Sequence, residues 1–371
     1  MSEWRTPPAC VLTPDGWREG AVLCEDGRIA AVEGRRLGDG EAPEPPCLLP
    51  GFVDLHVHGG DGADTMEGEA AVRRLARFHA AHGTVAMTPT TMTAPIAEIE
   101  AALKGIEAAR QAPEKAAARI LGAHLEGPFI SPHRLGAQPP FTIDPDPALA
   151  RHWCGLCRLA VATVAPELEG GAALIAALAE VGCRVQIGHT NASAAEAERA
   201  LADGASGFTH LYNAMSGLDH RAPGAAAAAL ASCDAAEIIC DLHHVSAAMI
   251  HVARRALPNL YAVTDATAAT GMPDGEYRLG RHPVVKQGGR VLLADGTTLA
   301  GSALTMDQAL RNLVSIGLSL AEGSAMVSAR PAACLGFSDL GAIRPGAVAS
   351  FVMLDSRLAV EQVWIAGMRA V

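Results

Sequence analysis

Aromatic residues, positive charge and long apolar runs are all scarce in this chain of 371 residues. Phe, Trp and Tyr make up 4% of it, and the formal net charge is −11 at pH 7. General binding to nucleic acid or to an anionic membrane needs excess positive charge, so we expect neither partner. No apolar run reaches the ~18 residues that a membrane-spanning helix requires. The N-terminal segment MSEWRTPPAC lacks a basic stretch followed by an apolar one, so we expect no signal peptide and a cytoplasmic protein.

Nine cysteines are scattered along the chain, a pattern that favours reduced thiols in a cytoplasmic protein. Cys154 and Cys157 form the sequence WCGLC, which has the spacing of thioredoxin-like redox motifs. In those proteins the motif begins a helix, whereas here it precedes the apolar run RLAVATVAPE. We therefore expect no redox role for this pair.

Eight apolar runs in the middle of the chain can each be read as a β-strand. They are FVDLHVH, TVAMTPT, RILGAHLEGP, RLAVATVAPE, RVQIGHT, GFTHLYNA, EIICDLHH and LYAVTDA. Helical segments such as EAAVRRLARFHAAHG and AEIEAALKGIEAAR alternate with them, which predicts a parallel sheet. Since ~250 residues suffice for a (β/α)8 barrel, we predict an α/β fold with a TIM-type barrel over residues 51–343.

The two ends of the chain have short β-like runs separated by Gly and Pro. ACVLT, GAVLCED and RIAAVEG lie at the N-terminal end, and VASFVMLD and AVEQVWIAGMRAV at the C-terminal end. Each end is too short to fold well by itself, and pairing them would bury both apolar faces. We therefore predict a small β-sandwich made of residues 1–50 plus 344–371.

Several of the eight runs end in residue types that bind metals. These residues are His56, His58, Glu126, His189, His210 and Asp265. Catalytic groups of a (β/α)8 barrel project from the C-terminal ends of its strands, and His-x-His on a strand puts both imidazoles on one face. One strand-end histidine is more often a hydrogen-bonding residue, but six such positions together predict a metal site. Imidazole and carboxylate suit zinc, iron, manganese or cobalt, with zinc the commonest choice for two histidines and a glutamate.

Asp265 ends the eighth run, in AVTDAT. A carboxylate there can take a proton from an activated water and pass it to a leaving group. A helix N-cap is the structural alternative for an aspartate, but the position beside the metal ligands favours catalysis. Most of the remaining histidines lack a strand-end position and are read as surface or packing residues, among them His79, His82, His133, His152, His220, His251 and His282.

Segments spread over the chain resemble the N-acetylglucosamine-6-phosphate deacetylases of the amidohydrolase superfamily. They are PGFVDLHVHG (50–59), HLEGPFISP (124–132), GHT (188–190), THLYNAMS (209–216), HRAPG (220–224), DLHHV (241–245), VTDAT (263–267) and LAGSALTM (299–306). The resemblance keeps this order over about residues 10–370. HLEGPF together with HLYNAM is specific to the deacetylases, whereas His-x-His and the final Asp occur throughout the superfamily.

The resemblance implies a metal-dependent enzyme that hydrolyses the N-acetyl group of N-acetylglucosamine 6-phosphate, with one or two divalent ions per subunit. The principal ion would be held by Glu126, His189 and His210. A second ion, which some members lack, would be held by His56 and His58. Asp265 would act as the general base and acid.

The resemblance also implies how the substrate is held. Asn213, the Ala214 backbone and His244 would contact the sugar phosphate. Arg221 resembles an arginine that reaches the phosphate in the neighbouring subunit, which implies a homodimer.

One segment departs from the family pattern. Where the family reads KGAHPP, this chain reads LGAQPP, so Leu135 replaces a basic residue and Gln138 replaces a histidine expected to polarise the acetyl carbonyl or contact the sugar. Glutamine can donate a neutral hydrogen bond but cannot become cationic. The departure predicts a lower rate or an altered sugar. A deacetylase for N-acetylgalactosamine 6-phosphate, or an amidohydrolase acting on a different amide, is therefore kept as an alternative.

Overall fold

The computed structural model describes residues 3–371. Its strands are β1 (Glu3–Arg5), β2 (Ala9–Thr13), β3 (Gly16–Glu25), β4 (Arg28–Arg36), β5 (Cys47–Pro50), β6 (Phe52–Val57), β7 (Gly59–Gly60), β8 (Ala63–Asp64), β9 (Thr84–Pro89), β10 (Arg119–Ile120), β11 (Ala123–Glu126), β12 (Leu159–Val164), β13 (Arg184–Ile187), β14 (Gly207–Phe208), β15 (Glu237–Ile239), β16 (Tyr261–Val263), β17 (Gly275–Leu279), β18 (His282–Gln287), β19 (Arg290–Leu293), β20 (Leu299–Ser302), β21 (Phe351–Leu354), β22 (Val360–Ile365) and β23 (Met368–Arg369). Its α-helices are α1 (Glu69–Ala81), α2 (Ile96–Gln111), α3 (Pro147–Leu156), α4 (Gly171–Glu180), α5 (Ala194–Ala202), α6 (Ala225–Ser232), α7 (Ala247–Ala256), α8 (Met306–Ser315), α9 (Leu320–Val327) and α10 (Ala329–Cys334).

Each of the eight apolar runs contains a strand, as predicted, and these strands pair in parallel. β6 pairs with β9 and β9 with β10, β11 to β14 pair in chain order, and β15 pairs with β16. Isolated parallel bridges connect these groups, from Thr90 to His124 and from Val57 to Ala266. Parallel strands are buried on both faces, which is why they appear in the sequence as nearly continuous apolar runs.

Helices alternate with the parallel strands, and their sequences explain their positions. In α1 the buried Val72, Leu75 and Ala76 recur at the three- and four-residue spacing of one helix face. α5 begins at a capping box, in which Ser193 and Glu196 each bond the other's backbone N–H. The fold is therefore mixed α/β. Among residues 3–371, no helix combines the length and the apolar character needed to cross a membrane.

The two ends of the chain pair with each other, as their sequences predict. They form one sheet in the order β1-β3-β2-β5-β21-β22-β23, with β4 on the other side of β3. β5 joins the two halves, because it pairs in parallel with β2 and antiparallel with β21. Val22, Ile29 and Phe351 belong to a core cluster that is separate from the main one.

Gly51 connects this terminal sheet to the parallel strands, since it is the one residue between β5 and β6. A Cβ atom at Gly51 would lie 2.3 Å from Cγ1 of Val85 in β9, so a larger residue would push β6 away from its neighbour. The terminal sheet thus continues directly into the strand that carries His56.

An antiparallel sheet of β17 to β20 follows β16 and precedes α8 in the chain. The sequence analysis did not predict this sheet. Leu279, Thr298 and Leu299 from this segment line the cavity described below.

Candidate active site

The five predicted metal ligands and Asp265, the predicted general base and acid, are buried and come together at the C-terminal ends of the parallel strands. His56 is the penultimate residue of β6, His58 follows that strand, and Glu126 is the last residue of β11. The other three stand two residues beyond β13, β14 and β16: His189, His210 and Asp265.

These last three residues share an unusual backbone conformation. Their φ angles are +46° at His189, +29° at His210 and +50° at Asp265. Residues with a Cβ seldom adopt positive φ, and such conformations persist where the surrounding structure enforces them, often at functional sites. The shared conformation shows that the chain turns in the same way after β13, β14 and β16.

Three ligand atoms converge in a first cluster. Oε1 of Glu126 lies 3.1 Å from Nε2 of His189 and 3.1 Å from Nε2 of His210. The two Nε2 atoms are 3.0 Å apart. Atoms that bind one ion tetrahedrally at ~2.0–2.2 Å lie only slightly farther from one another than these three atoms do. The spacing therefore fits a metal site.

The hydrogen-bond partners of His189 support this interpretation. Its Nδ1 lies 2.9 Å from the carbonyl oxygen of Arg134, which can only accept, so Nδ1 carries the proton. A neutral His189 therefore presents a lone pair at Nε2 toward the carboxylate of Glu126. Two acceptor atoms facing each other need a cation between them or an extra proton on the ring. The chemistry of this donor set fits a divalent ion.

A second cluster contains His56, His58 and Asp265. Nε2 of His56 lies 3.2 Å from Nε2 of His58, and the latter lies 3.3 Å from Oδ1 of Asp265. Oε2 of Glu126 is 3.1 Å from Nε2 of His58. Glu126 therefore faces both clusters, one with each carboxylate oxygen.

Nearby imidazoles lower the pKa values of the Glu126 and Asp265 carboxylates. Burial by itself would raise the pKa of Glu126, but the imidazoles of His56 and His189 lower it well below its usual range. Burial would also raise the pKa of Asp265, but His56 and His58 bring it down to about 2. In return, although burial alone lowers the pKa of His58, Asp265 and Glu126 raise it to about 9. A divalent ion would supply the same positive charge at this place.

A cavity of about 220 Å³ opens onto these clusters. Its lining includes four of the five residues predicted to bind substrate: Gln138, Asn213, Ala214 and His244. The fifth, Arg221, does not line it and is exposed, in a turn where Asp219 accepts hydrogen bonds from the Arg221 and Ala222 backbone. Its contact with a neighbouring subunit's substrate stays a prediction.

His244 and Asn213 differ in what they offer a ligand. Nδ1 of His244 lies 2.7 Å from Oδ2 of Asp241. Although burial lowers the pKa of His244, this carboxylate outweighs it and raises the pKa, which favours a cationic ring suited to an anion. The side-chain nitrogen of Asn213 donates to the carbonyls of His210 and Leu211, so Asn213 fastens the turn that follows a predicted ligand.

Gln138 contacts a predicted metal ligand directly. Its Oε1 accepts a hydrogen bond from the Thr93 backbone N–H at 2.7 Å, which orients the amide so that Nε2 donates to Oε2 of Glu126 at 2.6 Å. The amide carries a second N–H that this contact does not use. Gln138 therefore holds Glu126 in place, a contact that the sequence analysis did not foresee.

Four buried polar residues near the predicted ligands were missed in the sequence: Asp54, His124, Gln186 and Glu237. Oδ2 of Asp54 accepts from the Thr264 hydroxyl at 2.6 Å, which ties β6 to the segment that carries Asp265. Oε2 of Glu237 lies 3.0 Å from Nδ1 of His56. The sequence did contain a signal for two of them, because Asp54 and Glu237 are acidic residues inside apolar runs. A buried carboxylate needs hydrogen-bonding or charged partners.

The WCGLC segment has no features of a redox site. It ends α3 and does not begin a helix, with Cys157 at the C-cap. Burial raises the pKa of Cys154 and raises that of Cys157 to about 12, whereas a reactive cysteine needs a lowered pKa. All nine cysteines are free thiols in the described structure.

Comparisons with known proteins agree with this arrangement. The sequence pattern of the amidohydrolase family matches residues 47–369. An N-acetylgalactosamine-6-phosphate deacetylase from Escherichia coli O157:H7 is 40% identical over 97% of each chain. An N-acetylglucosamine-6-phosphate deacetylase from Vibrio furnissii is 36% identical, over 96% of this chain and 92% of its own.

The solved structure of a mutant N-acetyl-D-glucosamine-6-phosphate deacetylase from Mycobacterium smegmatis, in complex with N-acetyl-D-glucosamine-6-phosphate, superposes with a TM-score of 0.92. It is 32% identical, and all of both chains is covered. These matches confirm the resemblance that the HLEGPF and HLYNAM motifs predict. The chain is a hydrolytic enzyme that acts on a linear amide, and it belongs to the amidohydrolase family.

Proposed function

We propose that this chain hydrolyses the N-acetyl group of N-acetylglucosamine 6-phosphate, giving glucosamine 6-phosphate and acetate. The observation that carries the proposal is the convergence of Glu126, His189 and His210 within 3.1 Å of one another, with Asp265 on the same cavity. The relatives named above support it. A second candidate, N-acetylgalactosamine 6-phosphate, is favoured by the 40% identical relative and by Gln138.

The chain's own residues would hold one or two divalent ions. Glu126, His189 and His210 would bind the principal ion, and His56 and His58 a second. Such an ion, when bound, polarises the acetyl carbonyl and lowers the pKa of a water molecule toward ~7. Zinc is the commonest metal for this ligand set, and iron, manganese and cobalt suit the same donors.

Asp265 would move the proton. As water forms its bond to the acetyl carbon, Asp265 would accept a proton from that water on its carboxylate. As the carbon–nitrogen bond breaks, it would deliver the proton to the departing amine. The burial of Asp265 keeps the transferred proton away from bulk water.

The proposal extends to the architecture and the domains. We infer that the parallel strands close into a (β/α)8 barrel over residues 51–343, since the isolated bridges link their separate groups. We also infer that residues 1–50 plus 344–371 form a small β-sandwich domain, because their sheet encloses a core cluster of its own.

The proposed binding of the phosphate involves two subunits. His244, with Asn213 and the Ala214 backbone, would contact it from within the cavity, and Arg221 would reach it from a neighbouring subunit of a homodimer. Arginine suits this task because its planar guanidinium can make two parallel hydrogen bonds to phosphate oxygens.

Acetate release from phosphorylated and free N-acetyl hexosamines tests the substrate. We expect kcat/KM for N-acetylglucosamine 6-phosphate to exceed that for N-acetylglucosamine by ~10²-fold or more, because each hydrogen bond to a charged group contributes ~1.5–3 kcal/mol. Equal values would remove the phosphate pocket, and no acetate release from any amino sugar by the metal-loaded protein would reject the function.

Arg221→Ala gives a matched test of the subunit contact. It should lower kcat/KM only for the phosphorylated substrate, whereas Arg199→Ala, at another exposed arginine, should change neither value. A monomer in solution that retains full preference for the phosphate would contradict the shared site.

Gln138→His should raise kcat/KM on the gluco substrate relative to the galacto substrate. A neutral imidazole can accept from the Thr93 backbone and donate to Glu126, as the glutamine does, but it then has no further N–H for the sugar. The loss of that N–H should weaken the galacto substrate, which Gln138 favours, more than the gluco substrate. Gln138→Met is the control, because it loses both hydrogen bonds and should lower kcat on either substrate by ~10–100-fold. If Gln138→His changes neither rate nor preference, position 138 does not influence the reacting groups.

A further inference from the structure

A fully buried acidic side chain, Glu237, lies against His56 and lines no part of the cavity. It is the first residue of β15. Its Oε2 is 3.0 Å from Nδ1 of His56 and 3.3 Å from the backbone nitrogen of His210. Its Oε1 is 2.6 Å from Nε2 of Gln186. Glu237 therefore contacts the ring of one predicted ligand and the main chain of another.

The groups around Glu237 are donors. The Oε1 atom of Gln186 faces the Tyr261 hydroxyl at 3.5 Å, which leaves its Nε2 to donate to Glu237. The backbone N–H of His210 can only donate. Since both carboxylate oxygens accept, the proton shared with His56 belongs to Nδ1 of the ring.

The position of this proton determines whether Nε2 of His56 can accept or must donate on the side of the cavity. With its proton on Nδ1, a neutral His56 has a lone pair at Nε2. That atom lies 3.2 Å from Nε2 of His58 and 3.5 Å from Oδ1 of Asp265. Histidines that bind metals usually donate their other N–H to a carboxylate or carbonyl, which fixes tautomer and ring orientation.

Glu237 also groups with His56 and His124 closely enough to be considered a metal site in its own right. The nitrogens of His124 are already occupied, however. Nδ1 lies 3.2 Å from the Leu55 carbonyl oxygen, and Nε2 lies 2.8 Å from the Thr163 hydroxyl. Because His124 is satisfied without an ion, the contacts favour an orienting role for Glu237.

We propose that Glu237 is a positioning residue that holds His56 in the Nδ1–H tautomer and so keeps Nε2 free for the second ion. Through the backbone N–H of His210 it also holds a ligand of the principal ion. The inference rests on the proposed function, because the orientation of His56 serves catalysis only if its ring binds a metal.

Glu237→Gln tests the tautomer. The new amide oxygen would accept from Gln186, so its NH2 group would face His56, which must then accept at Nδ1 and carry its proton on Nε2. We expect zinc affinity at the His56 and His58 site to fall by ~10–100-fold, with a smaller change at the principal site. Titration of the full chain with zinc against a chelator measures both affinities.

Tyr261→Phe is the matched control. It removes a hydroxyl that contacts Gln186 but none of the groups that hydrogen-bond to Glu237 directly, and it should bind zinc as the unsubstituted chain does. An equal loss in both variants would mean that any disturbance of the buried polar groups has this effect, and would overturn the inference. Wild-type zinc binding at both sites by Glu237→Gln would overturn it as well.

Nitrogen-15 NMR of the histidine rings in the zinc-loaded, unsubstituted chain needs no stable Glu237 variant. His56→Gln identifies the His56 signals, which should show a proton on Nδ1. An Nδ1 without a proton would overturn the role of Glu237. If instead the chain binds only one zinc ion while the Nδ1 proton is present, the second metal site of the proposed function is rejected, and of the inference only the assignment of the His56 tautomer to Glu237 is retained.

Discussion

Asp265→Asn is expected to lower kcat by ~10²–10⁴-fold while the protein keeps its principal metal ion. Asparagine has nearly the same shape but cannot accept the proton of the attacking water. The atoms that Glu126, His189 and His210 would offer to a metal are left unchanged. Acetate release from N-acetylglucosamine 6-phosphate, together with elemental analysis of the purified variant, measures both quantities.

A buried aspartate outside the ligand clusters provides the control for Asp265→Asn. Asp64 is buried as well, and it accepts hydrogen bonds from the Met66 and Gly280 backbone. Asp64→Asn should therefore retain kcat far better than Asp265→Asn. A near-native kcat for Asp265→Asn would show that another group moves the proton.

His189→Ala is expected to remove the principal ion and with it nearly all activity. Residues that hydrogen-bond to a metal ligand typically contribute roughly 10–100-fold to metal affinity or activity. A ligand itself should contribute more. Its removal also leaves the carboxylate of Glu126 with one imidazole fewer in a buried site. Elemental analysis and acetate release, each with added zinc, measure the loss.

His79→Ala is the matched control for His189→Ala. His79 is fully buried, and its Nε2 lies 2.9 Å from the Gly59 carbonyl oxygen, but it contributes no ligand atom to either cluster. This variant should keep its metal even if its stability falls. Equal metal contents in His189→Ala and the unsubstituted chain would reject the assigned principal site.

The strands and their ligand-bearing ends could be predicted from the sequence for local reasons. A parallel strand is buried on both faces, so each of the eight appears as an apolar run. The two-residue period of a strand places His56 and His58 on one face. Glu126, His189 and Asp265 each come just where an apolar run ends, which is where a barrel places its catalytic groups.

The polar contacts behind these predicted ligands are decided only by the tertiary structure, because they join residues that are distant in sequence. Glu237 lies 181 residues from His56, and nothing in the run EIICDLHH indicates which strand its side chain will face. Gln138 was recognised in the sequence as a departure, but its bond to Glu126 depends on how a loop folds back over β11. Apolar periodicity specifies strands and their buried faces, whereas the choice of partner for a buried polar group depends on the pairing of all the strands at once.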